Sequence, residues 1–350
     1  MEKITLNNTP VRTSNNYGIN DITLEFETPI IKNFENFTII SSEQNKFSVE
    51  KINNDKLDSR IGLNLQQNFG IKISVNKNTY IKEPIIIEYY FDEDNNNLVD
   101  NIKIDYGENS DAVFIIKYLT DSEEKQFHYL KNEVHMEKNS KGKVIIANIL
   151  SEKSQNFIAY ENKLDENSNL TSINIDLGGE YKISNYYTQL YGDKSVNNVK
   201  NIYIGTKNDL IDINYNIDTI GKTTKSTILS EGAIDDCAKK HFKGTIDFKE
   251  GSRKSKGIEN ENCLILSDKA ESKSLPMLLC HEEDVYGEHG VSSGKPSEST
   301  LFYIMTRGIS YSEARELMVK ANLNKIIKEI KNEELEEEIT KIIDKKLYKE

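Results

Sequence analysis

Between Asp284 and Gly308 the sequence DVYGEHGVSSGKPSESTLFYIMTRG sets an imidazole, His289, next to a carboxylate, Glu288, and a glycine, Gly290. Neutral imidazole and carboxylate are both iron ligands, so metal chemistry is the first thing this pair suggests. The soft donors are Cys237, Cys263 and Cys280. They are widely spaced, odd in number and form no CxxC, which opposes a zinc finger or a disulfide framework. Cys280-His281 lies on a predicted strand, where neighbours face opposite sides, so the two do not easily share an ion. Cys263, in ENCLILSD, reads as a small buried apolar side chain, and Cys237 has no evident partner. Gly221-Lys222-Thr223 imitates the end of a phosphate loop, but Asn216 stands where the first glycine belongs. Gly294-Lys295 is followed by Pro296 instead of a magnesium-holding hydroxyl. Neither segment joins a buried strand to a helix, so nucleotide chemistry must come from another chain.

The elements that would position His289 change character at this stretch. Before it come short apolar runs broken by Asn, Gly, Asp and Ser: ITLEF, IKISV and IIIEYYF, then from about residue 103 VFIIKYL, KVIIANIL, FIAYENKL, LTSINIDL and their successors. A spacing of roughly 10–15 residues predicts many short strands rather than strand–helix alternation. Asn-Gly and Asp-Gly hairpin turns are absent, as is a strict hexapeptide or nonapeptide repeat. Periodicity therefore leaves a sandwich of hairpins and a parallel β-solenoid nearly level.

After Pro296 the pattern is helical. Ser297 or Ser299 can cap a short helix with Gly308 beyond its end, and Ser310 with Glu313 has capping-box spacing. Ala314, Leu317, Met318 and Ala321 share one helical face, and Leu323, Ile326, Ile327 and Ile330 continue on a shifted one. Leu335, Ile339, Ile342, Ile343 and Leu347 complete a final amphipathic helix. Such helices either cover the open end of a solenoid or offer an apolar stripe to a partner.

The 350 residues carry a net charge of −12, which opposes a broad nucleic-acid surface. The start, MEKITLNNTPVRTSNN, lacks the apolar core of a signal peptide, and no apolar run approaches a membrane span. The chain thus reads as cytoplasmic with reduced thiols.

Three ordered runs, EGAIDDCAKKHFKGTIDF, NENCLILSDKAESKSLPML and DVYGEHGVSSGKPSESTLFYIMTRGISYSEARELMV, closely resemble the SufB/SufD family of the SUF iron–sulfur cluster assembly system over about residues 225–330. TPVRTSNNYGIND resembles the family's N-terminal segment more weakly, and the short N-terminal region is expected to lack the helical domain of longer relatives. The resemblance implies a right-handed parallel β-helix with C-terminal helices, a SufB-like partner and the ABC-type ATPase SufC. It implies a non-catalytic scaffold or assembly role, with sulfur delivered by a desulfurase. Where this chain has His289-Gly290, SufB typically carries His-Glu and SufD His-Gly; ILSDKA also looks like SufD. The register position of the SufB cysteine is Glu261 here, with Cys263 displaced by two, and that of the usual SufD cysteine is Gly287. The resemblance is thus to the SufD branch.

The expectation is a mainly β chain: residues 1–102 leading into the solenoid, 103–296 its core, 297–350 a helical region for ATPase docking. On the resemblance, His289, with Glu288, marks the cluster-assembly interface and is the one expected metal contact. Leu301, Phe302, Tyr303, Arg307 and Gly308 are expected to bind the partner ATPase. No cofactor is expected to stay bound, although an iron–sulfur cluster would pass through the subunit interface. For the isolated chain, monomer and homodimer both stay open. Two other readings are a SufB-like scaffold acting as a homodimer with SufC, and a β-helix carbohydrate-active enzyme using Asp235-Asp236 or Glu282-Glu283-Asp284.

Overall fold

The computed structural model describes residues 2–52 and 56–347. Among these, two nine-stranded sheets carry the fold. One runs from Phe37–Ile40 and Ile85–Phe91 to Lys256–Ile265 and Tyr286–Gly294. The other runs from Phe47–Lys51 and Phe69–Val75 to Lys239–Phe248 and Glu271–Cys280. Successive strands of the chain alternate between the sheets, and each pairs in parallel with its equivalent one coil on. Only the first strand of each sheet is antiparallel, and these two close the N-terminal end. Eight coils result, which is a β-solenoid and not a sandwich of hairpins. Parallel pairing already begins at Phe69–Val75 on Asn97–Tyr106, within the segment expected only to lead in.

One coil takes 26 to 32 residues, from Leu164↔Leu190 to Phe248↔Cys280. Its corner needs a left-handed residue, and Asn tolerates that conformation best after glycine. Asn78, Asn109, Asn139 and Asn167 fill that column with φ of 55–58°, and Lys194, Thr223 and Lys254 continue it. Each of the later three asparagines donates its side-chain amide to the one before at 2.8–3.0 Å.

Strand side chains alternate inward and outward. The inward set fills the solenoid with Ile, Leu and aromatic rings, including Tyr89 stacked on Tyr118 at 5.0 Å. Some polar groups in it are paired: Tyr186 shares hydrogen bonds with Ser172 and Asn197, and Asn201 donates to the buried Asp176 at 2.9 Å. The outward faces are covered as well. Leu6, Ile22, Leu24 and Phe26 of the N-terminal hairpin pack on Phe127, Phe157 and Ile183 of one sheet. Asn7, itself left-handed, then pins the hairpin: its amide donates to Asp212 at 2.6 Å, and Lys243 donates to its carbonyl at 2.9 Å. Burial pushes the Asp212 carboxyl up, but Lys243 and His241 outweigh it and hold it below the ordinary range.

Three helices follow: α1 (Glu298–Met305), α2 (Tyr311–Ile327) and α3 (Glu333–Leu347). Ser297 caps α1, and Ser310 with Glu313 forms the expected capping box on α2. Gly308 is left-handed at φ 85°, one residue further on than a simple cap predicts. The helices do not close the open end. Val319, Leu323, Ile326, Ile327, Leu335, Ile339 and Ile343 lie flat on Ile145, Ile173, Ile202 and other outward residues of the first sheet. That contact consumes the apolar stripe, at roughly 1.5–3 kcal/mol per buried aliphatic side chain. The face of α2 that turns in carries Ala314, Val319 and Leu323, whereas Leu317, expected with Ala314, is 44% exposed. No described helix is long and apolar enough to cross a membrane.

Candidate functional site at the open end of the solenoid

Among the described residues, the strands Glu271–Cys280 and Tyr286–Gly294 are the last of their sheets and have no neighbour on one side. The end of the solenoid is therefore a double free edge, the arrangement that invites pairing with another chain. His289 lies on it and is exposed. In register it pairs with Glu259 of the preceding coil, and Gly287 with Gly257. A Cβ at Gly287 would stand 3.0 Å from Leu278 and 3.3 Å from Phe248, both core side chains, so this parity faces inward. His289 thus sits at the mouth of the interior.

Glu288 has the opposite parity and turns to the outer face, where Tyr286 donates to it at 2.8 Å. The structure does not bring Glu288 and His289 together; strand geometry separates neighbours. Of the expected docking residues, Leu301 is buried at 2% exposure, whereas Phe302 and Tyr303 are 71% and 59% exposed. The Arg307 guanidinium stacks on the Tyr303 ring at 5.0 Å. Arg307 and Gly308 are exposed beside them.

Beneath His289 lies a polar group that sequence reasoning missed. Lys240, fully buried, donates to Glu261 at 2.7 Å and to Ser274 at 2.9 Å. Tyr203 and Ser274 each donate to Glu261 at 3.0 Å. Glu259, two residues before Glu261 and on the same inward face, is also fully buried. Burial first and Glu261 second push its carboxyl up to about 8. The only signal in the sequence was KGIENENCL, with acids at alternate positions of a strand; Lys240, 21 residues away, becomes their neighbour only through coil register.

Cys263 faces inward on the same strand and is buried, while Cys237 and Cys280 are exposed. His281 follows the strand end, 3.6 Å from Asp247. Among the described residues no group of three or more His, Cys, Asp or Glu side chains is arranged to hold a metal ion. The acidic pairs considered for glycoside chemistry build turns. Glu282 accepts backbone N–H groups of Gly251, Glu283 and Asp284, and Asp236 takes a left-handed corner where it accepts from the Lys207 N–H.

The family model for the SUF system FeS cluster assembly SufBD core domain matches residues 89–322, about two thirds of the chain. The chain is 30% identical over 165 residues to the iron–sulfur cluster assembly protein SufD of Bacillus subtilis, covering 47% of this chain and 38% of that one. It is 22% identical over 244 residues to SufD of Escherichia coli, covering 70% and 58%. A SufBD family protein of Staphylococcus saprophyticus is 28% identical over 178 residues, covering 50% and 38%. The matched segment is thus 38–58% of these relatives' own length. With its eight parallel coils, flanking helices and the matched core domain, the chain belongs to the SufB/SufD family of the SUF system and is SufD-like within it.

Proposed function

We propose that this chain is a cytoplasmic, non-catalytic SufD-like subunit that pairs with a SufB-like chain and binds a SufC-type ATPase. The observation that carries the proposal is His289 on a double free edge. A sister solenoid that extends the two sheets covers that edge and brings its own donors to the imidazole. One chain supplies no three-ligand site among its described residues, which suits a cluster that is cargo at a seam. Glu288, on the outer face, would stand at the rim of the same seam. Glu261 supports the SufD branch over a homodimeric scaffold, because the register position of a SufB-type acceptor cysteine is held here by a carboxylate in a buried ion pair.

Phe302, Tyr303, Arg307 and Gly308 would form the ATPase contact, with Leu301 anchoring α1 from below. The two longer helices span several coils, so motion of the ATPase would reach the solenoid as a unit. His289→Ala is expected to lower cluster yield on the purified three-component complex at least tenfold while co-purification of the subunits is unchanged. An unchanged yield refutes the role of His289, and failure of the wild-type chain to co-purify with an ATPase and a sister β-helix protein refutes the assignment.

A further inference from the structure

Among the described residues Glu259 has no hydrogen-bond partner. Its side chain is 0% exposed, and neither carboxyl oxygen takes part in a hydrogen bond. It packs over Gly244, where a Cβ would come within 1.8 Å of Oε1, so the carboxyl occupies the space that this glycine leaves open. The donors nearby, Lys240, Tyr203 and Ser274, are already engaged by Glu261. A buried carboxyl left in this state requires a reason, since burying a polar group without a hydrogen bond is unfavourable. His289 is its in-register neighbour on the edge strand, on the same inward side. Adjacent strands lie about 4.8 Å apart. Imidazole and carboxylate bonds to a divalent ion are each about 2.0–2.2 Å, so side chains at two such positions can reach one ion.

We propose that Glu259 is a second protein ligand, with His289, for a borderline divalent cation of the iron(II) class at the open end of the solenoid. The inference rests on the reading of His289 given above. Binding turns the Glu259 side chain from Gly244 towards the mouth and exchanges its carboxyl proton for the ion: –COOH + M2+ gives –COO–M+ and a proton released to solvent. No electron is transferred. Water, and the partner subunit in the complex, fill the other positions.

The test is titration of the isolated full chain with cobalt(II), followed by visible absorption. Glu259→Gln and His289→Ala are each expected to weaken binding about 10–100-fold, the range seen when the surroundings of a metal site are altered. Glu259→Leu, better suited to a dry setting, should behave as Glu259→Gln does, and thermal melts verify that each variant is folded. Wild-type affinity in either folded Glu259 variant or in His289→Ala overturns the proposal. So does absence of binding to the wild-type chain up to about 1 mM, the limit of a weak two-donor site. These outcomes are separable from the test of function: loss of cluster yield in His289→Ala with cobalt binding indifferent to Glu259 rejects only the second ligand.

Discussion

Lys240→Met is expected to destabilise the chain by about 3–5 kcal/mol, the cost of leaving one member of a buried ion pair uncompensated. Both partners are fully buried, and Glu261 keeps only the neutral donors Tyr203 and Ser274 once the ammonium is gone. Adding Glu261→Leu should recover most of the loss, because replacing both charges with apolar groups removes the desolvation penalty along with the attraction. Chemical denaturation of the wild type, the single variant and the double variant checks the prediction. A single-variant loss under about 1 kcal/mol would place the pair in the class of solvated surface bridges and contradict its burial.

The second large effect is one of pH. Asp176 is fully buried, and burial pushes its carboxyl up to about 6 against the pull of Asn201 and Lys182. The unfolded chain should titrate it near the ordinary 3.8. Below that value both states are protonated and the group contributes nothing to pH dependence. As pH rises from there to about 6, the unfolded state releases the proton while the native state keeps it, so stability is lost. The total is roughly 3 kcal/mol at about 1.4 kcal/mol per unit, constant at higher pH. Asp176→Asn retains an acceptor for the Asn201 amide and abolishes the titration. Its stability relative to the wild type is therefore expected to rise by roughly 3 kcal/mol between about pH 3.5 and pH 7. Urea melts at the two pH values measure the difference; parallel profiles would show that Asp176 is not held neutral.

The strands were legible because Ile, Val, Phe and Tyr recur in short runs between polar turns, but the coil was not. Its repeat is a whole turn of 26–32 residues, uneven in length, and a search for short strict repeats passes over it. Its sparse signature is a left-handed residue followed by Ser or Thr: Asn109-Ser110, Asn139-Ser140, Asn167-Ser168, Lys194-Ser195, Thr223-Thr224, Lys254-Ser255. The requirement there is on backbone conformation, which Lys and Thr meet as well as Asn once the neighbouring coils enforce it. Capping of α2 was readable because it is local, whereas its buried face was not. Helical periodicity alone does not say that Leu317 should face solvent and Val319 the sheet; the shape of the flank below decides. His289 was readable as a candidate through family likeness, but its register pairing with Glu259 was not, since only parallel coils make neighbours of residues 30 positions apart.

The stacking of eight coils has a dynamic consequence. In a one-dimensional array each layer is held by the layers on either side, so opening starts at the ends. The N-terminal end is sealed by antiparallel strands, and the middle is braced by the hairpin and by α2 and α3. The coil bearing His289 has a neighbour on one side only. Amide hydrogen exchange in the isolated chain should therefore be fastest in Glu271–Cys280 and Tyr286–Gly294 and slow progressively inward.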